Sequence, residues 1–239
     1  MAAAQGQPSL EPQLIGDYDV LNFLLNLEYL QAEVYTVASS GRRIADYGIA
    51  TSGHGAAAHT VGGGMVSLDA PVRDLAAQLA AGERAHVGVL RTRLGTAAVA
   101  KPAIDLEALG FGFRSETEFI TLARLLEDLV MTAYQGVTGL IGDAGLRTAA
   151  IGLGLAEAQH SGIVRALVAE RNLVVPGFDA VDVPPPPSPG GRIFNAGADG
   201  VCVKRSASQA LAVVYGTQTQ FANAGGFFPA GLNGVVRNV

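Results

Sequence analysis

The sequence predicts an all-α protein, a four-helix bundle followed by a long, largely irregular C-terminal extension. Three observations carry this. Four stretches have apolar residues at helical spacing and little strand signal, each about 23–29 residues or roughly 35–43 Å long. Modest connections join them, as in a bundle. The run Val183-Pro184-Pro185-Pro186-Pro187-Ser188-Pro189 cannot be helix and marks where the bundle gives way to a stiff polyproline linker or wrap.

Residues 1–16 read as a polar, mobile lead-in, 17–172 as the bundle and 173–239 as the extension, packed on the bundle or on a neighbouring subunit. From Asp17 to Ser39 there is neither Pro nor Gly; Asp17 is placed to cap this first helix and Gly41 to follow its end. Residues 41–66, rich in Gly, Ala, Ser and Thr, read as an unusually long loop. A second helix starts at Asp69, with Pro71 in its first turn, and runs to Leu94. Residues 95–114 connect, with a short helical turn at Asp105–Leu109. Ser115 and Glu118 have capping-box spacing before a third helix over 116–141. Asp143 and Gly145 mark a turn, and the fourth helix runs to Arg171, before Pro176-Gly177. One short helix is expected at Ser206–Tyr215, ahead of the irregular aromatic segment Gly225-Gly226-Phe227-Phe228-Pro229.

Composition removes several function classes. Charged residues make up 15% against a usual ~25%, and the mean hydropathy is +0.31, so the chain is a core-forming one rather than a disordered one. The net charge is −5 with no basic block, which argues against nucleic-acid binding. No apolar run is long enough for a transmembrane segment. Cys202 is the single cysteine, so no intrachain disulfide forms, and it is expected to pack as a small apolar residue. The start Met1-Ala2-Ala3-Ala4-Gln5 is not an intact signal peptide. It fits an exported, periplasmic protein whose signal has been removed, or a cytoplasmic one.

The chemistry lies in an internal repeat. Helix 1 carries Leu27-Glu28-Tyr29-Leu30 with Tyr35 seven residues after Glu28; helix 3 carries Leu126-Glu127-Asp128-Leu129 with Tyr134 seven after Glu127. Helix 2 carries Glu83-Arg84-Ala85-His86, then Gly88-Val89-Leu90-Arg91; helix 4 carries Glu157-Ala158-Gln159-His160, then Gly162-Ile163-Val164-Arg165. Residues at i and i+3 share a helix face, so each Glu-x-x-His can grip one metal ion from one turn of helix. With ten Glu in 239 residues, two such pairs among four His arise by chance only about 1% of the time. The bland alternative, surface pairs or buried polar register markers, sits poorly with apolar Leu79, Leu90 and Leu155 on or near the same faces. Four carboxylates in a dry bundle repel one another, and two divalent cations cancel them.

The order Glu, Glu-x-x-His, Glu, Glu-x-x-His is that of ferritin-like dinuclear carboxylate proteins. Leu21-Asn22-Phe23-Leu24-Leu25-Asn26-Leu27-Glu28-Tyr29-Leu30 resembles the first helix of the ferritin-like domain in the desiccation-related protein family of plants and bacteria. Glu127-Asp128 with Thr132-Ala133-Tyr134 resembles that family's third helix. Val213-Val214-Tyr215-Gly216 and Gly225-Gly226-Phe227-Phe228-Pro229-Ala230-Gly231-Leu232-Asn233-Gly234 resemble its tail. The resemblance covers residues 17–235. It implies a ferritin-like four-helix bundle with Glu28, Glu83, His86, Glu127, Glu157 and His160 as metal ligands. Many bacterial relatives are exported, often on a twin-arginine signal, which this sequence does not show.

Around those ligands, Tyr35, Tyr134 and Gln31 are candidates to hydrogen-bond a ligand, with bundle packing as the alternative for the tyrosines. Asp128 is the alternative ligand in helix 3. Glu33 points elsewhere, to a solvated or structural role. Arg91 and Arg165 are expected to pair with acids at the bundle ends, and His54 and His59 to be exposed loop residues. Gly82, Gly88, Gly152, Gly154 and Gly162 weaken their helices and suggest close approach or room for a ligand. Mixed carboxylate and imidazole donors suit two Fe or Mn ions, with Zn as a competitor. The favoured expectation is redox chemistry with O2 or hydrogen peroxide in stress protection, catalase- or ferroxidase-like. The alternative is a structural or protective protein in which the metal is only a staple, and an iron-storage cage is a weaker third. A homo-oligomer, a dimer, is expected.

Overall fold

The computed structural model describes residues 15–239, so all but Ile15 and Gly16 of the predicted lead-in lies outside the described residues. The bundle is built from α1 (Asp17–Ser40), α2 (Ala70–Leu94), α3 (Glu116–Val137) and α4 (Ala144–Glu170), and α5 (Ala207–Tyr215) follows in the extension. Two short strands, β1 (Thr60–Val61) and β2 (Ile104–Asp105), pair in parallel and tie the loop after α1 to the connection after α2. No helix among the described residues is long and apolar enough to cross a membrane.

Local chemistry accounts for most helix ends. Asp69, Asp143 and Ser206 accept hydrogen bonds from the backbone N–H groups of Val72, Leu146 and Gln209, so each caps its helix. Gly41 ends α1 in the left-handed conformation that glycine adopts freely, φ 70°. Two expectations are corrected. Gly16, not Asp17, precedes α1; the Asp17 carboxylate instead accepts from Gly142 and Asp143 at 2.8 Å each, pinning α1 to the α3–α4 turn. The capping box before α3 is half formed, because Ser115 accepts from Glu118 N–H while the Glu118 carboxylate turns to Gly112 and Arg114. α3 also stops at Val137 and continues as a 3-10 turn to Leu140. The predicted turn at 105–109 forms after β2.

α1 is buried on every side from Val20 to Ala38, and α3 nearly so from Phe119 to Tyr134. A helix apolar all round has to be covered all round, and the connections and extension cover these two. α5 lies on α3, Phe227 and Phe228 are fully buried, and the Phe227 carbonyl accepts from Asp105 N–H. Asn233 holds the tail in place: its carbonyl accepts from Asn26 and its amide donates to the carbonyls of Ala100 and Ala56. Arg205 N–H donates to the Thr132 carbonyl, with Gly136 beneath; a Cβ there would lie 1.8 Å from the Arg205 oxygen.

Two buried Arg–Asp pairs clamp the extension. Arg124, fully buried on α3, donates to both carboxylate oxygens of Asp182 at 2.7 Å. Arg205 does the same to Asp179 at 2.7 and 2.8 Å, and also donates to Thr132 Oγ1. Cys202 does not pack inside; it is exposed, on the rim of a cavity of about 320 Å³ floored by Tyr134 and Met131.

Candidate metal centre

Each of the four bundle helices sends one glutamate inward at the same level, and all four are fully buried. His86 and His160 come from the neighbouring turns of α2 and α4, with rings nearly parallel and centroids 5.6 Å apart. His86 Nδ1 lies 2.9 Å from Glu157, 3.3 Å from Glu28 and 3.4 Å from Glu83. His160 Nδ1 lies 2.9 Å from Glu83, 3.7 Å from Glu127 and 3.8 Å from Glu157. The six residues singled out in the repeat are thus one cluster. They form two overlapping groups, Glu28–Glu83–His86–Glu157 and Glu83–Glu127–Glu157–His160, each with its ligand atoms within 4.8 Å of one another. Such a cluster can hold a metal ion.

The electrostatics point the same way. Burial drives Glu83 and Glu127 well above the usual carboxylate range, helped by the neighbouring glutamate charges, and Glu157 up to about 7. Burial also works against charge on Glu28, but the close His86 imidazole outweighs it and holds Glu28 below its usual value. For His86, burial is overcome by the carboxylates of Glu157, Glu28 and Glu83 close around it, so it is raised well above an ordinary histidine. His160 goes the other way, down to about 4, through burial and the His86 charge. One protonated imidazole among four carboxylates is a poor substitute for more positive charge. Oxygens of all four glutamates and Nδ1 of both histidines lack a hydrogen-bond partner, a costly state for buried polar atoms. Bound cations would satisfy them.

The surrounding groups are held in crossed fashion. Tyr134 on α3 donates to Glu28 Oε1 on α1 at 2.5 Å. Tyr35 on α1 donates to the Ala123 carbonyl at a long 3.4 Å, and the Glu127 charge beside it adds to the burial that raises its hydroxyl well above 10. Gln31 donates to Glu157 Oε2 at 3.2 Å. Asp128 is not turned to the cluster; it accepts from Ser161 at 2.6 Å and Arg165 at 2.5 Å and lies 3.0 Å from Arg124. Glu33 is buried rather than solvated and accepts from Thr60 at 2.8 Å, with Lys101 at 3.5 Å.

Some residues answer differently from the spacing. Arg165 is buried beside the site, not at a bundle end, and Arg91 has no acidic partner among the described residues; it donates to the Tyr29 hydroxyl and the Ser52 carbonyl. Leu79 and Leu90 are buried but Leu155 is 62% exposed. Of the helix glycines, Gly82 gives room to His160 and Gly154 to Tyr134, while Gly88, Gly152 and Gly162 face open space. His54 and His59 are exposed. The Arg124–Asp182 and Arg205–Asp179 pairs are long-range and had no spacing signal. The Tyr29–Arg91 and Asp128–Arg165 pairs did have one: each joins the residue after a ligand Glu to the Arg five after a ligand His.

A helical bundle with one inward glutamate per helix and two Glu-x-x-His turns defines a protein of the carboxylate–histidine bundle class. The model of the ferritin-like domain matches residues 16–170, and the chain belongs to that family. No curated protein matches the chain.

Proposed function

We propose that the protein binds two Fe or Mn ions and carries out redox chemistry with O2 or hydrogen peroxide. The observation that supports this most directly is the overlap of the two ligand groups. Glu83 and Glu157 belong to both and would be within reach of either ion, while Glu28 with His86 and Glu127 with His160 would each serve one. The donor set is mostly oxygen, which favours Fe or Mn, with Zn a competitor for the same ligands. Bound iron or manganese would supply the electron-transfer capacity needed to react with oxygen or peroxide. The chain's own groups fix the site: Tyr134 orients Glu28, Gln31 orients Glu157, and the fully buried glutamates keep bulk water away. The resemblance of the tail to desiccation-related proteins supports a role in stress protection.

A second reading, in which the metal is a structural staple, is favoured by the complete burial of all four glutamates. Metal content per chain, measured by mass spectrometry on protein purified without added metal or chelator, tests the site. About two ions per chain are expected, lost in Glu83→Ala/His160→Ala. Failure to bind Fe or Mn after reconstitution would overturn the proposal. A loaded protein that consumes neither O2 nor peroxide would leave the staple.

A further inference from the structure

The described residues roof α1 and α3 with the connections and the extension, but leave the outer faces of α2 and α4 bare. Those faces do not have the composition of a solvated helix surface. Between Asp74 and Arg93 on α2, and between Arg147 and Glu170 on α4, no exposed residue is charged. The partly exposed arginines of α2 are turned away: Arg84 donates to Thr36 and stacks on the Tyr47 ring, and Arg91 donates to Tyr29. A solvent-facing helix side is normally charged or polar, and charge depletion marks the core of an interface rather than its rim.

The two helices are also complementary in shape. α4 presents a ridge of large apolar side chains, with Ile151 49%, Leu155 62% and Ile163 51% exposed. α2 presents small residues, Ala77, Ala81, Ala85 and Gly88, with Val89 at one end. In the internal repeat Gly88 corresponds to Gly162, and a Cβ at either would meet nothing within 4 Å. Glycine inside a helix costs about 1 kcal/mol relative to alanine. Among the described residues these two have no packing that explains them, and close approach of another helix does.

We propose that this face is the interface between two copies of the chain, with the α4 ridge of each lying on the small-residue run of the other's α2. A two-fold dimer needs one surface that carries both halves of the fit, and this surface does. The stretches without exposed charge, 75–92 on α2 and 148–169 on α4, span about 26–32 Å along the helices and about 20 Å across the pair. That is about 500–600 Å² per copy and about 1,000–1,200 Å² in total, the level at which an interface becomes specific.

Sedimentation or light scattering on the full chain at micromolar concentration tests it. Wild type is expected at twice the 24.5 kDa chain mass. Leu155→Arg on α4 and Ala81→Arg on α2, both at exposed positions, are each expected to give monomer with an unchanged melting temperature. Phe221→Arg, 73% exposed in the extension, should stay dimeric. A monomeric wild type, or a dimer that survives both arginines, would overturn the proposal.

Discussion

Asp182→Ala removes one carboxylate from a balanced buried set. Arg124 and Arg165 supply two positive charges, and Asp128 and Asp182 two negative ones, with side chains no more than 2% exposed. After the substitution two guanidinium groups share Asp128 alone, and both oxygens that met Arg124 at 2.7 Å are gone. Removing one partner of a buried pair costs about 3–5 kcal/mol. Asp128 stays 3.0 Å from Arg124, which places the loss near the lower end, about 3 kcal/mol, or about 6–12 °C of melting temperature for a chain of this size. Thermal melting followed by circular dichroism measures it. The double variant Arg124→Met/Asp182→Leu, which leaves no orphaned charge from the pair, should recover much of the loss. A fall of less than about 1 kcal/mol for Asp182→Ala, or no recovery in the double variant, would refute the view that an uncompensated buried charge is the cause.

Gly136→Ala drives a methyl group into the Arg205 carbonyl; it should destabilise by about 1–3 kcal/mol and make the 173–205 segment more sensitive to limited proteolysis. Tyr134→Phe strips Glu28 Oε1 of its donor and should lower the metal-free melting temperature by the equivalent of about 1–3 kcal/mol, while metal content is retained because the phenol is not a ligand. pH acts on the metal-free protein through groups that hold protons the unfolded chain releases. Glu157, raised by burial to about 7 from its usual 4.5, weakens the fold as pH rises through that window, and Glu83 and Glu127 extend the fall upward. His86, raised by the carboxylates close around it against the opposing effect of burial, acts in the same sense above its usual 6.5, whereas His160, lowered to about 4, opposes only between about 4 and 6.5. Metal-free melting temperature should therefore fall as pH rises above about 6.5, where His160 no longer opposes the loss, and its gap to the metal-loaded protein should widen; a gap that narrows would contradict the charge state assigned to the cluster.

Helices and cluster were legible because both are local in sequence. Caps at Asp69, Asp143 and Ser206 act within three residues, and Glu-x-x-His places both donors on one turn. The errors arise where a side chain chose a distant partner. Asp17 had the composition of a cap, yet the free N–H groups of Gly142 and Asp143 sit across the bundle and take its carboxylate. Spacing turns Glu33 away from the cluster but leaves a solvated and a structural role open, because its partners, Thr60 and Lys101, come from two separate connections. Helical spacing puts Leu155 near the cluster face and residue type suggests packing for Cys202, yet both are exposed, because exposure depends on what covers a face, which no local pattern encodes.

The two halves of the repeat have kept the ligand turns and diverged one residue later, and that difference links the site to the extension. In the first half Tyr29 follows Glu28, and Arg91 reaches its neutral hydroxyl, so no second buried charge is needed. In the second half Asp128 follows Glu127. A carboxylate there would add to the four already crowding the centre, and Arg165 and Arg124 neutralise it. Those two arginines overcompensate by one charge, and the missing negative charge comes from Asp182 of the extension. Asp128, which meets the arginine of the clamp that holds the extension, and Glu127, a candidate ligand, are therefore neighbours on α3. Undocking the extension would leave an excess positive charge around Asp128, the residue next to Glu127 in sequence.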